Sequence, residues 1–302
     1  MHMENRSGNF FRTLRSHFTK HPGRSVFFFL SLFFLVSTGI RCSPIPLTRA
    51  PAHDWIAENL ERIQVDDPDH FSFAVLGDNR GSREILPRLL RQVNQDPEIR
   101  FAMDLGDLVP QGKMEKHRYF IGQVRKDLNR PLLTAIGNHE LYANGRGLYY
   151  NLFGPFYYSF QIGRSYFIVL DDANEKGLDQ WQKKWLEKEL RKAQDYNIRF
   201  VFMHVPLFDP RGGIYQHCLP KKAGLSLSRL FAEYHVTHIF ASHIHGYFSG
   251  QWGGTPFTIT GGAGAPLYGQ DPRHYFYHFV KVRVNNKRVN ITVRRVTSKD
   301  HQ

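Results

Sequence analysis

The stretch IFASHIHGYF, residues 239–248, places two histidines, His243 and His245, directly after a run of apolar residues. The segment around it is rich in β-branched and aromatic side chains, which predicts a β-strand over residues 235–245. Residues i and i+2 of a strand point to the same side, so this strand would aim both imidazoles at one place. Taken alone, two such histidines are more often hydrogen-bonded side chains than ligands, so the rest of the chain must decide.

Apolar strands of this kind alternate with helices along much of the chain. Further strands are predicted over residues 71–77, 100–107, 130–138 and 198–204. Periodic apolar residues predict helices over residues 82–95, 113–128, 177–194 and 225–234. Residues 157–172 are predicted as two strands joined by a turn, and residues 255–262, 275–284 and 288–296 as β-hairpin strands. The alternation predicts an α/β fold built in layers, and the late strands without intervening helices predict a second sheet.

Two of these helices carry more specific expectations. A proline at position 87 is expected to break the helix over residues 82–95 near Leu86. In the helix over residues 177–194, five apolar side chains fall on one stripe that is expected to face the core: Leu178, Trp181, Trp185, Leu186 and Leu190.

Side chains of metal-ligand type follow five of the strands. They are Asp78, Asp107, Asn138, His139, His204, His243 and His245. In α/β folds, ligands bind just beyond the carboxyl ends of the strands. Carboxylate, amide oxygen and imidazole donors suit divalent Mn, Fe, Co or Zn, and the lack of cysteine donors among them argues against a structural zinc site. The pattern predicts two divalent metal ions about 3.5–4 Å apart, an arrangement used in phosphoryl chemistry.

The motifs at these strand ends resemble those of the calcineurin-like metallophosphoesterases. They are GDNR at 77–80, GDLV at 106–109, GNHE at 137–140, MH at 203–204 and SHIH at 242–245. The resemblance covers residues 71–247, and the trailing strands continue it to about residue 296. It implies a four-layered αββα sandwich and a dinuclear site.

The resemblance also implies a role for each site residue. Asp107 would bridge the two metal ions, Asp78 and His245 would bind the first ion, and the second would be bound by Asn138, His204 and His243. His139 would contact the scissile phosphate and protonate the leaving oxygen as a general acid. Glu140 is expected to orient a neighbouring group.

Arg80 marks the main departure from the family pattern, because the family has a histidine ligand at this position. An arginine side chain stays protonated and cannot bind a metal, but its planar fork suits a phosphate oxygen. The alternative for Arg80 is an ordinary exposed loop side chain. Arg211 lies on a loop after the strand that ends at His204, and it is a second candidate for substrate binding against the same alternative.

The N-terminus carries a separate signal. Residues 1–24 form a basic leader that is expected to stay in the cytoplasm, and residues 25–41 form a hydrophobic signal-anchor or signal peptide. Residues 42–66 are expected to be a linker and lead-in, and residues 67–300 the metallophosphoesterase domain. We therefore predict an N-terminal hydrophobic helix and a catalytic domain outside the cytoplasm, either anchored to the membrane or secreted.

Composition narrows the partners of the exported part. The chain has a formal net charge of +13, and +8 remains without the first 43 residues, which carry six basic residues and one acid. This charge suits a small phosphorylated substrate or a lipid headgroup at the membrane. No helix or stripe of basic residues typical of nucleic-acid readers is present in the sequence, so no nucleic acid is expected.

Three functions are consistent with the sequence. The first is metal-dependent hydrolysis of phosphate esters, with phosphomonoesters favoured because Arg80 would complement a dianionic phosphate. The second is a phosphodiesterase acting on a nucleotide or lipid headgroup. The third is a binding module that keeps the fold and one metal ion without turnover, although such a module has no chemical need for the acid His139.

Overall fold

The computed structural model describes residues 54–213 and 216–296. The predicted N-terminal hydrophobic helix lies outside the described residues. Among the described residues, no helix is both long enough and apolar enough to cross a membrane.

Two sheets form the centre of the fold. The first has five strands in the order β11-β10-β1-β2-β3: β1 (His70–Leu76), β2 (Ile99–Asp104), β3 (Leu132–Thr134), β10 (His278–Asn285) and β11 (Arg288–Arg295). The second has six strands in the order β4-β5-β6-β7-β9-β8: β4 (Tyr158–Ile162), β5 (Ser165–Val169), β6 (Ile198–Phe202), β7 (His238–Ala241), β8 (Tyr247–Trp252) and β9 (Thr255–Thr260). Strands β1 to β3 are mutually parallel, and so are β5, β6, β7 and β9.

Helices cover the outer face of each sheet. The described α-helices are α1 (Trp55–Arg62), α2 (Ile85–Gln95), α3 (Met114–Asp127), α4 (Asn138–Leu141), α5 (Arg146–Phe153), α6 (Gln180–Lys192) and α7 (Lys221–Glu233). Side chains of α1, α2, α3 and α5 form one apolar core with the first sheet. Side chains of α6 and α7 form a second core with the other sheet.

A third core lies between the two sheets and consists largely of phenylalanine. Phe73 stacks on Phe101 at a centroid distance of 5.1 Å within the first sheet, and it meets Phe200 of the second sheet edge-on at 5.4 Å. Burying each such ring stabilises the fold by roughly 1.5–3 kcal/mol. Three cores between four layers give the αββα architecture expected from the sequence.

Two local expectations about helices are wrong. Pro87 does not break α2, because it lies in the first turn of that helix, where a backbone N–H group has no partner within the helix. Trp181 is 67% exposed at the start of α6 and is not part of the core stripe.

Helix α1 lies in the segment predicted as linker and lead-in, and its Trp55 ring is buried beneath the first sheet.

The strand of the opening stretch is also shorter than expected. Strand β7 ends at Ala241, so His243 and His245 lie beyond it in a turn. They do not share one face of a strand, and the i, i+2 expectation for them is wrong. The late strands do not form a sheet of their own either, since β10 and β11 join the first sheet and β8 and β9 the second.

Candidate active site

The turns that follow the parallel strands carry the predicted site residues in a strained backbone. Asp78, Arg80, Asp107 and His243 have positive φ values of 58°, 47°, 55° and 66°. Few non-glycine residues adopt this conformation, because the Cβ atom crowds the backbone. Each of these residues lies in the loop that directly follows a parallel strand, at the carboxyl edge of its sheet.

Two of these turns touch each other at glycines. A Cβ atom on Gly106 would lie 2.6 Å from the backbone nitrogen of Gly137, and one on Gly137 would lie 2.3 Å from the backbone nitrogen of Asp107. Only glycine allows this approach, which brings the GDLV and GNHE motifs into direct contact.

Glu140 holds the two touching turns together. Its buried carboxylate accepts backbone N–H groups from Gly137 at 2.7 Å, Asp107 at 2.9 Å and Val109 at 3.2 Å. Glu140 therefore fixes the backbone on both sides of the candidate ligands, in agreement with the orienting role expected from the sequence.

Asp107 lies at the centre of the candidate site. Its Oδ1 atom accepts the backbone N–H of His139 at 2.9 Å and lies 3.4 Å from His204 Nε2. Its Oδ2 atom lies 3.4 Å from a terminal nitrogen of Arg80 and 3.7 Å from His139 Nε2. The Asp107 carboxylate thus faces side chains that lie both before and after it in the sequence.

One set of donors lies on the Asp78 side of Asp107. Single ligand atoms of Asp78, Asp107 and His245 all lie within 4.8 Å of one another. Asp78 Oδ2 accepts the backbone N–H of His243 at 2.7 Å and the hydroxyl of Ser242. Asp78 Oδ1 is buried without a hydrogen-bond partner among the described residues, 3.5 Å from His245 Nε2. We call these three residues the first half of the site.

A second set lies on the other side of Asp107. Asn138 Oδ1 lies 2.9 Å from His204 Nε2 and 3.1 Å from His243 Nδ1, and these two ring nitrogens are 3.2 Å apart. Three potential ligand atoms thus converge on one point. We call Asn138, His204 and His243 the second half of the site.

Backbone carbonyl groups set the tautomers of three site histidines. The Nδ1 atoms of His204, His139 and His245 lie 2.9, 2.8 and 2.6 Å from the carbonyl oxygens of Leu105, Pro110 and Pro266. A carbonyl oxygen only accepts, so each of these Nδ1 atoms carries a proton. In a neutral His204 or His245 ring, Nε2 is then the atom with the free lone pair, and in both residues this atom faces the other candidate ligands. The Nε2 atom of His139 faces Asp107.

The electrostatics of the site favour added positive charge. Burial and neighbouring carboxylates raise the pKa of Asp104, and burial with the charge of Asp107 raises the pKa of Glu140 to about 8. Burial also raises the pKa of Asp172 to about 7. For His204, burial lowers the pKa, but the charges of Asp107, Asp78 and Asp172 outweigh it and raise the pKa above its usual value. These carboxylates repel one another, and a cation among them would relieve the repulsion.

The residues fit divalent metal ions. The unpartnered Asp78 Oδ1 atom is the kind of buried polar atom that a ligand satisfies. Its neighbours supply carboxylate, amide and imidazole donors, which suit Mn, Fe, Co or Zn. All six predicted ligands, Asp78, Asp107, Asn138, His204, His243 and His245, come together, and His139 lies beside them.

The two candidate substrate residues differ in placement. Arg80 lies at the edge of the first half with its side chain 23% exposed, and its buried Nε atom has no hydrogen-bond partner among the described residues. Arg211 instead directs its guanidinium at Asp209, with contacts of 2.9 and 2.7 Å. The structure therefore brings Arg80 to the cluster and engages Arg211 elsewhere in its loop.

Three residues that we did not single out from the sequence also contact the site. Asp172 accepts the backbone N–H groups of His204 and Val205, both at 2.9 Å. The ring of Tyr142 lies 4.7 Å from that of His139, and the ring of Tyr268 lies 4.9 Å from that of His245. The sequence could have indicated Asp172, because it follows strand β5 as the candidate ligands follow their strands. No sequence pattern indicated the two tyrosines.

Comparison with known proteins places the chain in a family. The family model of the calcineurin-like phosphoesterases matches residues 71–247. A purple acid phosphatase of Glycine max is 30% identical over 116 residues, which are 37% of this chain and 25% of that protein. Among solved structures, a purple acid phosphatase from yellow lupin (Lupinus luteus) seeds superimposes with a TM-score of 0.62 at 20% identity, covering 77% of this chain and 52% of that one. A dimetal phosphatase from Danio rerio gives a TM-score of 0.58 at 16% identity, covering 76% of this chain and 98% of that one.

The fold and the matched motifs define the class of the protein: the chain belongs to the calcineurin-like phosphoesterase family. The two solved structures share its fold. The match to the soybean phosphatase spans a quarter of that curated relative's length.

Proposed function

We propose that this protein is a metal-dependent hydrolase of phosphate esters and that a phosphomonoester is its preferred substrate. The observation that carries the proposal is the meeting of two donor sets at one carboxylate, Asp107, with His139 beside it. Family membership and the likeness to phosphatases support the same reaction class.

In this proposal Asp78 and His245 would hold one divalent ion, Asn138, His204 and His243 would hold another, and Asp107 would be available to both. When bound, two such ions stabilise the charge on the attacking and leaving oxygens of an in-line displacement at phosphorus. The chain itself orients the donors. The carbonyl oxygens of Leu105 and Pro266 fix the rings of His204 and His245. Asp172 fixes the backbone of His204, and Glu140 fixes that of Asp107.

His139 is the proposed proton donor to the leaving oxygen. Its Nδ1–H group is held by the Pro110 carbonyl oxygen, and its Nε2 atom faces Asp107 at 3.7 Å. In the protonated imidazole, Nε2 carries the proton that the leaving oxygen needs. The backbone bond from His139 to Asp107 Oδ1 keeps this nitrogen in place relative to the ligands.

Arg80 is the proposed anchor for the substrate phosphate. Its guanidinium reaches the edge of the first half, close to Asp107, on a side chain that is 23% exposed. A dianionic phosphate accepts two parallel hydrogen bonds from such a fork, which favours a monoester over a singly charged diester. Arg211 would contact the substrate only after its guanidinium leaves Asp209.

The test is turnover by the full-length protein of p-nitrophenyl phosphate and of bis(p-nitrophenyl) phosphate, after loading with Mn, Fe, Co or Zn. We expect metal-dependent hydrolysis with a higher kcat/KM for the monoester. The variant Asp107→Asn should lose at least about 10³-fold, because both halves lose their shared charge. A faster diester would identify a phosphodiesterase, and bound metal without turnover of either ester would identify a binding module.

A further inference from the structure

The two tyrosines beside the site have an unusual environment for exposed aromatic residues. Tyr142 is 48% exposed and Tyr268 is 68% exposed, and each ring packs against a site histidine. Tyr142 lies against His139 with 58° between the ring planes, and Tyr268 stacks on the His245 ring of the first half with 22° between the planes. Much of the surface of both tyrosines remains exposed to solvent beside the site.

Each tyrosine is mounted on a loop that packing holds in place. The two residues after Tyr142, Ala143 and Asn144, both have a φ of 57°, and the carbonyl oxygen of Tyr142 would lie 2.8 Å from a Cβ atom on Gly112. Tyr142 also accepts a hydrogen bond from Asn138 Nδ2 at 3.3 Å. A strained, tightly packed turn next to a site is typical of a segment that presents a side chain for function.

The loop that carries Tyr268 is fixed on both sides as well. Two residues before it, the carbonyl oxygen of Pro266 accepts from His245. One residue after it, Gly269 packs so closely on Tyr275 that a Cβ atom would lie 1.9 Å from that ring. Both rings are thus pre-positioned, and a ligand that stacks on them pays little to order them.

We propose that Tyr142 and Tyr268 form an aromatic rim that selects phosphate esters whose leaving group carries a planar ring. This inference rests on the proposed function. Since His139 would donate its proton to the leaving oxygen, the leaving group would lie next to the residue packed against His139, which is Tyr142. A planar ring there gains an offset or edge-on contact with Tyr142, while Tyr268 bounds the other half of the site.

A purely supporting role for the tyrosines makes a different prediction. Rings that only hold His139 and His245 in place would affect all esters equally, through kcat or metal binding. Rings that contact the leaving group change the ratio of the kcat/KM values of two esters that differ only in that group. This ratio, measured on one protein preparation, is independent of metal occupancy.

The experiment compares 2-phenylethyl phosphate with 2-cyclohexylethyl phosphate on the metal-loaded full-length protein. The two leaving groups are similar in size and in alcohol acidity, and only the first is planar and aromatic. We expect the phenyl ester to have a roughly two- to tenfold higher kcat/KM. In the double variant Tyr142→Leu, Tyr268→Leu the ratio should fall to about one, while Tyr142→Phe should retain it because the ring and not the hydroxyl is read.

Tyr150→Leu is the matched control. This tyrosine is 55% exposed on α5 and packs on Phe156, away from the site histidines. Its variant should keep the wild-type ratio. Equal turnover of the two esters by the wild type, or a preference that survives the double leucine variant, would overturn the aromatic rim and leave the proposed function standing. Failure to turn over either ester would instead count against the proposed function itself.

Discussion

The two halves of the site share Asp107 but are built differently. In the second half, Asn138, His204 and His243 bring three potential ligand atoms within 3.2 Å of one another. In the first half, Asp78 and His245 are 3.5 Å apart, and a guanidinium, that of Arg80, stands where the family places a third donor. The second half therefore offers three potential ligand atoms besides Asp107, whereas the first half offers two and has the Arg80 cation beside them. We infer that the first half binds its metal ion more weakly than the second half and that Arg80 contacts the substrate phosphate instead.

The largest expected effect on activity comes from His139, which belongs to neither half of the site. His139→Gln removes the proton donor and leaves all six ligand side chains in place. We expect kcat/KM to fall by about 10²–10⁴-fold for an alkyl phosphate, with a smaller loss for p-nitrophenyl phosphate, whose leaving group needs no proton. Metal content, measured by mass spectrometry, should stay at the wild-type value. Equal losses on both esters would contradict the acid role.

Glu140→Ala should damage both halves together, since this carboxylate accepts three buried N–H groups from the turns that carry Asp107 and Asn138. Leaving those donors unpaired should lower the free energy of unfolding by roughly 2–5 kcal/mol. Urea denaturation measures the change. The control is Glu187→Ala on the surface of α6, which should stay within about 0.5 kcal/mol of wild type. An unchanged free energy of unfolding for Glu140→Ala would show that the two turns do not depend on the Glu140 carboxylate.

Arg80→Lys tests whether the guanidinium beside the first half binds the substrate phosphate. It keeps the positive charge but loses the fork, and we expect KM for the monoester and the inhibition constant of inorganic phosphate to rise about tenfold each. Arg83→Lys, on the same loop, should leave both constants unchanged. In Arg80→His a metal donor returns to the first half. Tighter metal binding by that variant with an unaltered KM would deny Arg80 any role in substrate binding.

The smallest effect concerns a histidine outside the site. His117 is fully buried against Phe153, neither ring nitrogen has a hydrogen-bond partner among the described residues, and burial lowers its pKa to about 4. Its usual pKa in the unfolded chain is about 6.5. The unfolded state therefore binds the proton first as pH falls, so stability is full above about pH 6.5 and declines below it.

The variant His117→Leu removes this acid sensitivity. Between pH 7.5 and pH 5.5, the wild type should lose about 1.4 kcal/mol of stability through this group, and the variant should lose that much less. Urea denaturation at both pH values provides the measurement. His235→Asn, at an exposed turn with a φ of 51°, is the control and should behave as the wild type. An identical pH dependence for His117→Leu and wild type would rule out the buried neutral imidazole.

The sequence predicted the layered α/β fold and the ligand set because both follow from local patterns. Apolar strands ending in Asp78, Asp107, Asn138 or His204 have a fixed consequence, since the ends of parallel strands meet at one edge of a sheet. The exposure of Trp181 was missed because apolar spacing alone does not show where a helix leaves the core. Tyr142 and Tyr268 were missed because their positions depend on turns whose shape is set by distant packing, at Gly112 and Tyr275.

The measurement that tests the central claim most directly is a metal titration of the metal-free full-length protein. Equilibrium dialysis against graded Mn²⁺, with bound metal determined by mass spectrometry, should give two ions per chain in two steps separated by about tenfold or more in affinity. Asn138→Ala should remove the tighter step and His245→Ala the weaker one. Two ions of equal affinity, a single ion, or loss of the tighter step in His245→Ala would contradict the unequal halves.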